Sequence, residues 1–237
     1  MKPIVTRALI GANVLAFVLF SPYTPYAQEI FGTLGLVPGD FQIWQPLTSL
    51  FLHGGFIHLA FNMIALWSLG PAIERELGAV KFTLLYFASG LTGALAVLVL
   101  PGMPFVPTVG ASGAIVGLMG ALAVFYPNAS IAMFFVPMRA RTAALAFGGI
   151  TILLMFVDQG SGISHAGHLG GLIGGLALSK YLQNNKIGAT RRFDWGHEHA
   201  NPYSRPMSRG RTETRPAEVQ LIYDPATGRY YLNKRLD

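Results

Sequence analysis

The stretch His165-Ala166-Gly167-His168-Leu169-Gly170-Gly171-Leu172-Ile173-Gly174-Gly175-Leu176-Ala177-Leu178 decides how this chain folds. Apart from two histidines near its start it is apolar, and it continues so to Leu182. That length approaches the roughly 20 residues a membrane-crossing helix needs. Gly167, Gly171 and Gly175 repeat at helical spacing, with Gly170 and Gly174 beside them. Faces of small residues at this spacing let helix backbones approach closely in lipid. A partner face is present upstream, where Gly113, Gly117 and Gly120 lie in another apolar stretch. The expectation is two membrane helices in backbone contact, with His168 at one end of the contact and Ser112 at the same end.

Working outward, six apolar stretches are found: Pro3 to Phe20, Phe56 to Leu69, Phe82 to Leu100, Ser112 to Tyr126, Thr142 to Val157 and His165 to Leu182. Composition agrees with a membrane chain. Of 237 residues, 52% are hydrophobic and 12% charged, against roughly 25% charged in soluble domains. That hydrophobicity also excludes a wholly disordered chain. There is no cysteine, hence no disulfide framework, thiolate zinc site or cysteine nucleophile. The first stretch follows Lys2 and contains Arg7, as a signal peptide would, but Pro25-Tyr26-Ala27 makes a poor cleavage site. It is read as a retained helix.

The net charge of +6 is unevenly placed. Residues 1–183 carry 7 basic and 5 acidic groups, and residues 184–237 carry 10 and 6. Lys2, Arg7, Arg75, Lys81, Arg139, Arg141 and Lys180 all fall on one side of a six-helix weave. The segments Ser21 to Gly55, Pro101 to Ala111 and Asp158 to Ser164 contain no Lys or Arg. The positive-inside rule then predicts cytoplasmic termini and three outward loops, in the cell membrane. This placement accounts for the positive charge without nucleic-acid binding. The long first loop carries Phe41, Trp44, Leu47, Leu50 and Phe51 and is expected to lie against the lipid of the outer face. The tail, with Arg191-Arg192 and Ser208 to Arg215, is expected to be polar, cytoplasmic and largely disordered. A small hairpin at Val219 to Leu232 is the alternative for its end. The predicted fold is thus an all-α membrane bundle over 1–183 and a tail over 184–237. No residue pattern points to a particular oligomeric state.

Polar groups inside the stretches are few: His58 and Asn62, Ser112, and His165 and His168. In the predicted weave all start inward-running helices at the outer face. Singly, Ser112 reads as a helix cap, His168 as a structural donor, and His58 with Asn62 as polar glue between helices. Together, at one depth, they read as a site, because ionisable groups in lipid are costly. A serine hydroxyl becomes a nucleophile when a neighbouring base takes its proton. His168 fits that role, and His58, Asn62 and the Ser112 backbone N–H fit an oxyanion site. His165, one turn further out, is expected to be more solvated and further from Ser112.

The order His58-x-x-x-Asn62, Gly110-Ala111-Ser112-Gly113 and Ala166-Gly167-His168-Leu169-Gly170-Gly171 resembles the rhomboid intramembrane serine proteases. Trp44, Asn62-Met63-x-x-Leu66-Trp67-x-x-Gly70-x-x-x-Glu74-x-x-x-Gly78, and the pair Gly171 and Gly175 also fit, so the likeness covers about Ile43 to Leu182. The resemblance implies a six-helix fold, a Ser112–His168 dyad without a carboxylate, and an oxyanion site of His58, Asn62 and the Ser112 amide. It implies transmembrane-helix substrates cut near the outer face, with no cofactor and no metal. Gly113, Gly171 and Gly175 would support the helix contact. His53 would support the first loop or the cavity water. Two positions depart from the family pattern: Gln45 stands where an arginine is common, and Val116 where an aromatic residue often stacks on the base. The competing readings are a silent relative that binds membrane helices, and a small six-helix transporter, which would more often show internal repeats.

Overall fold

The computed structural model describes residues 2–100, 105–133, 136–158 and 163–185, and the backbone of 219–224 and 229–234. The chain forms two compact units, Met1–Trp195 and Gly196–Asp237. The first contains α1 (Ile4–Leu19), α2 (Ala27–Leu34), α3 (Gln45–Thr48), α4 (Phe56–Val99), α5 (Ser112–Phe125), β1 (Ser130–Met133), β2 (Val136–Arg139), α6 (Ala140–Val157) and α7 (His165–Asn184). It is a helical bundle in which α4, α5 and α7 pack on one another and α1 and α6 flank them. Its core is formed by Leu66, Ile73, Phe82, Leu85, Tyr86, Leu118 and Leu122. The outer surface is apolar as well: Ile64, Trp67, Leu84, Leu145, Leu153, Phe156 and Ile173 are all exposed. A helix apolar on every side needs an apolar surrounding, and α4 and α6 are long enough to cross a membrane.

The second and third apolar stretches form two helices, as expected, but each helix continues past its apolar run and the two meet at Gly78: α4 is this pair, its helical geometry broken at Gly78, with φ 75° and ψ 165°. Glycine adopts this left-handed φ without a Cβ penalty, so the chain turns at one residue. Neighbouring contacts give its direction. Gly70 lies against Thr6 of α1, and Glu76 accepts a 2.5 Å hydrogen bond from the Tyr126 hydroxyl just beyond α5. His58 lies beside Gly110, ahead of α5, and Gly93 beside Gly167 near the start of α7. The two halves therefore run antiparallel, away from the α5 start and back to it.

Helix α1 begins after Pro3 with no side-chain cap. Its free N–H groups are capped from α4 instead. Glu74 Oε1 accepts from Val5 N at 2.8 Å, and Oε2 accepts from Thr6 N at 2.8 Å and Thr6 Oγ1 at 2.7 Å. A carboxylate on a helix N-terminus also meets the favourable end of its dipole.

The first loop is organised around Gln45, which is fully buried. Its Oε1 accepts from Val37 N at 3.2 Å and Gln42 N at 3.1 Å, and its Nε2 donates to Gly32 O and Asp40 O. The amide supplies both donor and acceptor, so this position holds the loop together without an arginine. Trp44 Nε1 donates to Thr33 O at 3.0 Å, and Thr48 Oγ1 to Leu34 O at 2.6 Å. Phe41, Ile43, Trp44 and Leu47 are left facing outward, while Leu50 is buried. Leu36 and Thr108 form a two-bond bridge, and Gly110 N donates to Ser49 O. These bonds fix the segment that leads into α5.

Between α5 and α6 the connection is an antiparallel hairpin of β1 and β2, pairing Ser130 with Arg139 and Met133 with Val136. In the second unit, β3 (Val219–Asp224) and β4 (Arg229–Lys234) pair antiparallel, with Leu221 opposite Leu232 and Tyr223 opposite Tyr230. The rest of the tail, including Arg191-Arg192 and Ser208 to Arg215, lies outside the described residues, as do 101–104 and 159–162 of the two short loops.

Candidate active site

The glycine faces bring α5 and α7 to backbone contact. A Cβ on Gly171 would lie 2.1 Å from Gly113 O, and one on Gly175 would lie 2.2 Å from Gly117 O. Gly113 in turn faces Gly167 O. This approach carries Ser112, the first residue of α5, up to His168 on the first turn of α7. His168 Nε2 and Ser112 Oγ are 2.8 Å apart, within hydrogen-bond reach of a nucleophile and its base. The start of α7 is fixed by Ser164, whose Oγ accepts from Gly167 N at 3.2 Å.

His58, on the first turn of α4, reaches the same place. Gly110 has φ 120°, and a Cβ there would lie 2.8 Å from His58 Nε2 and 3.8 Å from Ser112 Oγ. Glycine is thus required at 110 twice, for its backbone angle and for the space the imidazole fills. His58 Nε2 and Ser112 Oγ flank one small volume. The Ser112 N–H, at a helix start, has no partner within the helix. Asn62 is buried one turn along; its Nδ2 donates to His58 O at 2.9 Å, and its Oδ1 has no hydrogen-bond partner among the described residues. The amide therefore braces the turn that carries His58 and keeps its second N–H for another acceptor.

His53 is buried in the loop before α4, with its ring 5.0 Å from that of His58. Burial chiefly, and repulsion by His58 next, push its pKa down to about 4, with a backbone contact at Phe51 acting the other way. It is neutral near pH 7 and serves as a packing surface for His58.

His165 departs from its expected place. It is not the more solvated histidine, being only 6% exposed. Its Nε2 lies 3.0 Å from Asp158 Oδ2, at the end of α6. A nearby carboxylate draws the ring inward against α6 instead of leaving it to water. Asp158 is thereby engaged with His165.

Two contributors carry little or no signal in the sequence. One is Gly110 as the seat of the His58 ring, which needs its φ to be known. The other is Phe147 of α6, whose ring centroid is 5.8 Å from that of His168 at an interplanar angle of 52°. The only sequence signal for it is the absence of an aromatic residue at 116.

A family model described as Rhomboid domain matches residues 40–185. Rhomboid protease GluP of Bacillus subtilis is 41% identical over 152 residues, covering 62% of this chain and 27% of its own length. Rhomboid-like protease 1 of Toxoplasma gondii is 38% identical over 153 residues, covering 62% and 49%. Rhomboid protein 1, mitochondrial, of Saccharomyces cerevisiae is 33% identical over 183 residues, covering 74% and 52%. The chain thus spans from about a quarter to about half of the length of these relatives.

Proposed function

The chain belongs to the rhomboid family, and on that premise we propose that it is an intramembrane serine endopeptidase using Ser112 as nucleophile and His168 as general base. The observation that carries this reading is the 2.8 Å approach of His168 Nε2 to Ser112 Oγ. Substrates are single membrane helices, entering from lipid and cut near the outer face. As Ser112 Oγ attacks the scissile carbonyl, its proton passes to His168 Nε2. The oxyanion receives hydrogen bonds from the Ser112 N–H, His58 and the second N–H of Asn62. His168 then gives its proton to the leaving amine, and the acyl-enzyme forms. Water attacks the ester, losing a proton to His168, which returns it to Ser112 Oγ as the new carboxylic acid leaves. Preorganised donors aimed at charge that develops only in the transition state usually account for more of the rate enhancement than any other effect. No step calls for a metal or a cofactor. The protein resides in the cell membrane with both termini cytoplasmic, and the 184–237 segment stands outside the catalytic unit.

The test is cleavage of a generic membrane-helix substrate by purified full-length protein in liposomes. Wild type should cut, and Ser112→Ala and His168→Ala should not. A serine-reactive fluorophosphonate should label Ser112 in wild type alone. An inert wild type, with substrate still bound, would favour a silent helix binder.

A further inference from the structure

We propose that Phe147 is the positioning residue that holds the His168 imidazole toward Ser112, so that α6, which carries neither the nucleophile nor the base, sets the geometry of the pair. This rests on the Ser112–His168 reading above. An imidazole held by one hydrogen bond can turn about its side-chain torsions and lose its alignment. One face must be blocked by something flat and rigid. Helix α5 does not supply it: one turn after Ser112 stands Val116, which packs with Met119, Ala144 and Leu172. Phe147 packs against the Val116 cluster and brings its ring 5.8 Å from the imidazole. Ala143, Ala144 and Thr151, three or four residues away along α6, are buried, and residues at that spacing share a helix face, so the helix turns this ring inward.

The experiment compares wild type, Ser112→Ala, Phe147→Leu and Phe147→Tyr as full-length proteins, measuring kcat and KM, fluorophosphonate labelling rate and unfolding midpoint. Leucine keeps the apolar filling and removes the ring, whereas tyrosine keeps the ring. Phe147→Leu should lower kcat about tenfold with KM unchanged, since a small misplacement of a reacting group can cost up to about a hundredfold. Labelling of Ser112 should slow by a similar factor, and Phe147→Tyr should stay near wild type in both. Wild-type kcat and labelling in Phe147→Leu would overturn the proposal. So would equal losses in both variants accompanied by a lowered midpoint, which describe packing alone. If instead Ser112→Ala cleaves like wild type, the dyad itself is wrong, whatever Phe147 does.

Discussion

At the scale of single residues, the proposed site separates groups that touch the reacting atoms from groups that hold them. His58 is seated by Gly110 and braced by Asn62, whose amide bonds the His58 carbonyl. Loss of either ring or amide should therefore act on turnover. His58→Ala and Asn62→Ala should each lower kcat with little change in KM, towards the roughly 10²–10³-fold loss seen when one oxyanion donor is removed. The double variant should lose less than the product of the two, because Asn62 also acts through His58. Full turnover in all three would remove both from the oxyanion role. Ser112, His168, His58 and Asn62 of the proposed site stand out in the sequence because each is a polar group in an apolar stretch, where lipid allows few. Gly110 and Phe147 are not. Their part depends on a backbone angle and on a neighbour from another helix, neither of which leaves a periodic trace. His165 departs from expectation because its carboxylate partner, Asp158, sits in what the sequence shows only as a loop end.

Among the elements, the α5–α7 contact brings Ser112 and His168 within 2.8 Å of each other. The glycine spacing announces this contact, and the structure adds how little room it leaves. A methyl group at 171 would lie on the Gly113 carbonyl, a backbone atom that cannot rotate away. Gly171→Ala should therefore force the helices apart, destabilise the fold by about 1–3 kcal/mol and strongly reduce cleavage. Gly149→Ala on α6, where nothing lies within 4 Å of the added carbon, should leave both unchanged. Thermal unfolding and substrate cleavage, measured side by side, check the pair. An active Gly171→Ala of wild-type stability would mean that the helix contact does not set the Ser112–His168 distance. The break in α4 is the least legible element. Apolar periodicity fades where Glu74, Arg75 and Glu76 appear, which looks like a loop, yet Glu74 and Glu76 are buried and bonded to Thr6 and Tyr126.

At the scale of the whole molecule, the two ends of the bundle differ in character. Ser112, His168 and His58 gather at one end, whereas the β1–β2 hairpin with Arg139 lies past the other end of α5. Under the proposed topology, with Arg139 on the cytoplasmic side, the site would lie at the outer face. The chain has no cysteine of its own, so single cysteines report sidedness directly. Met138→Cys and Asn185→Cys should react with an impermeant thiol reagent only from the cytoplasmic side, and Tyr23→Cys and Phe105→Cys only from outside. Labelling of Asn185→Cys from outside would reverse the proposed orientation. The turn at Gly78 bears on the same architecture in another way. A slack connector absorbs an added residue at little cost, but here helix resumes at once on either side. One residue inserted beside Gly78 would be converted wholly into a screw motion, about 100° of rotation with about 1.5 Å of advance. Gly90 and Gly93 would swing off Leu50 and Gly167, and side chains would take their places. The joint thus acts as a phase lock, in which the length of the chain at one residue keeps the small-residue faces of the later helices in step.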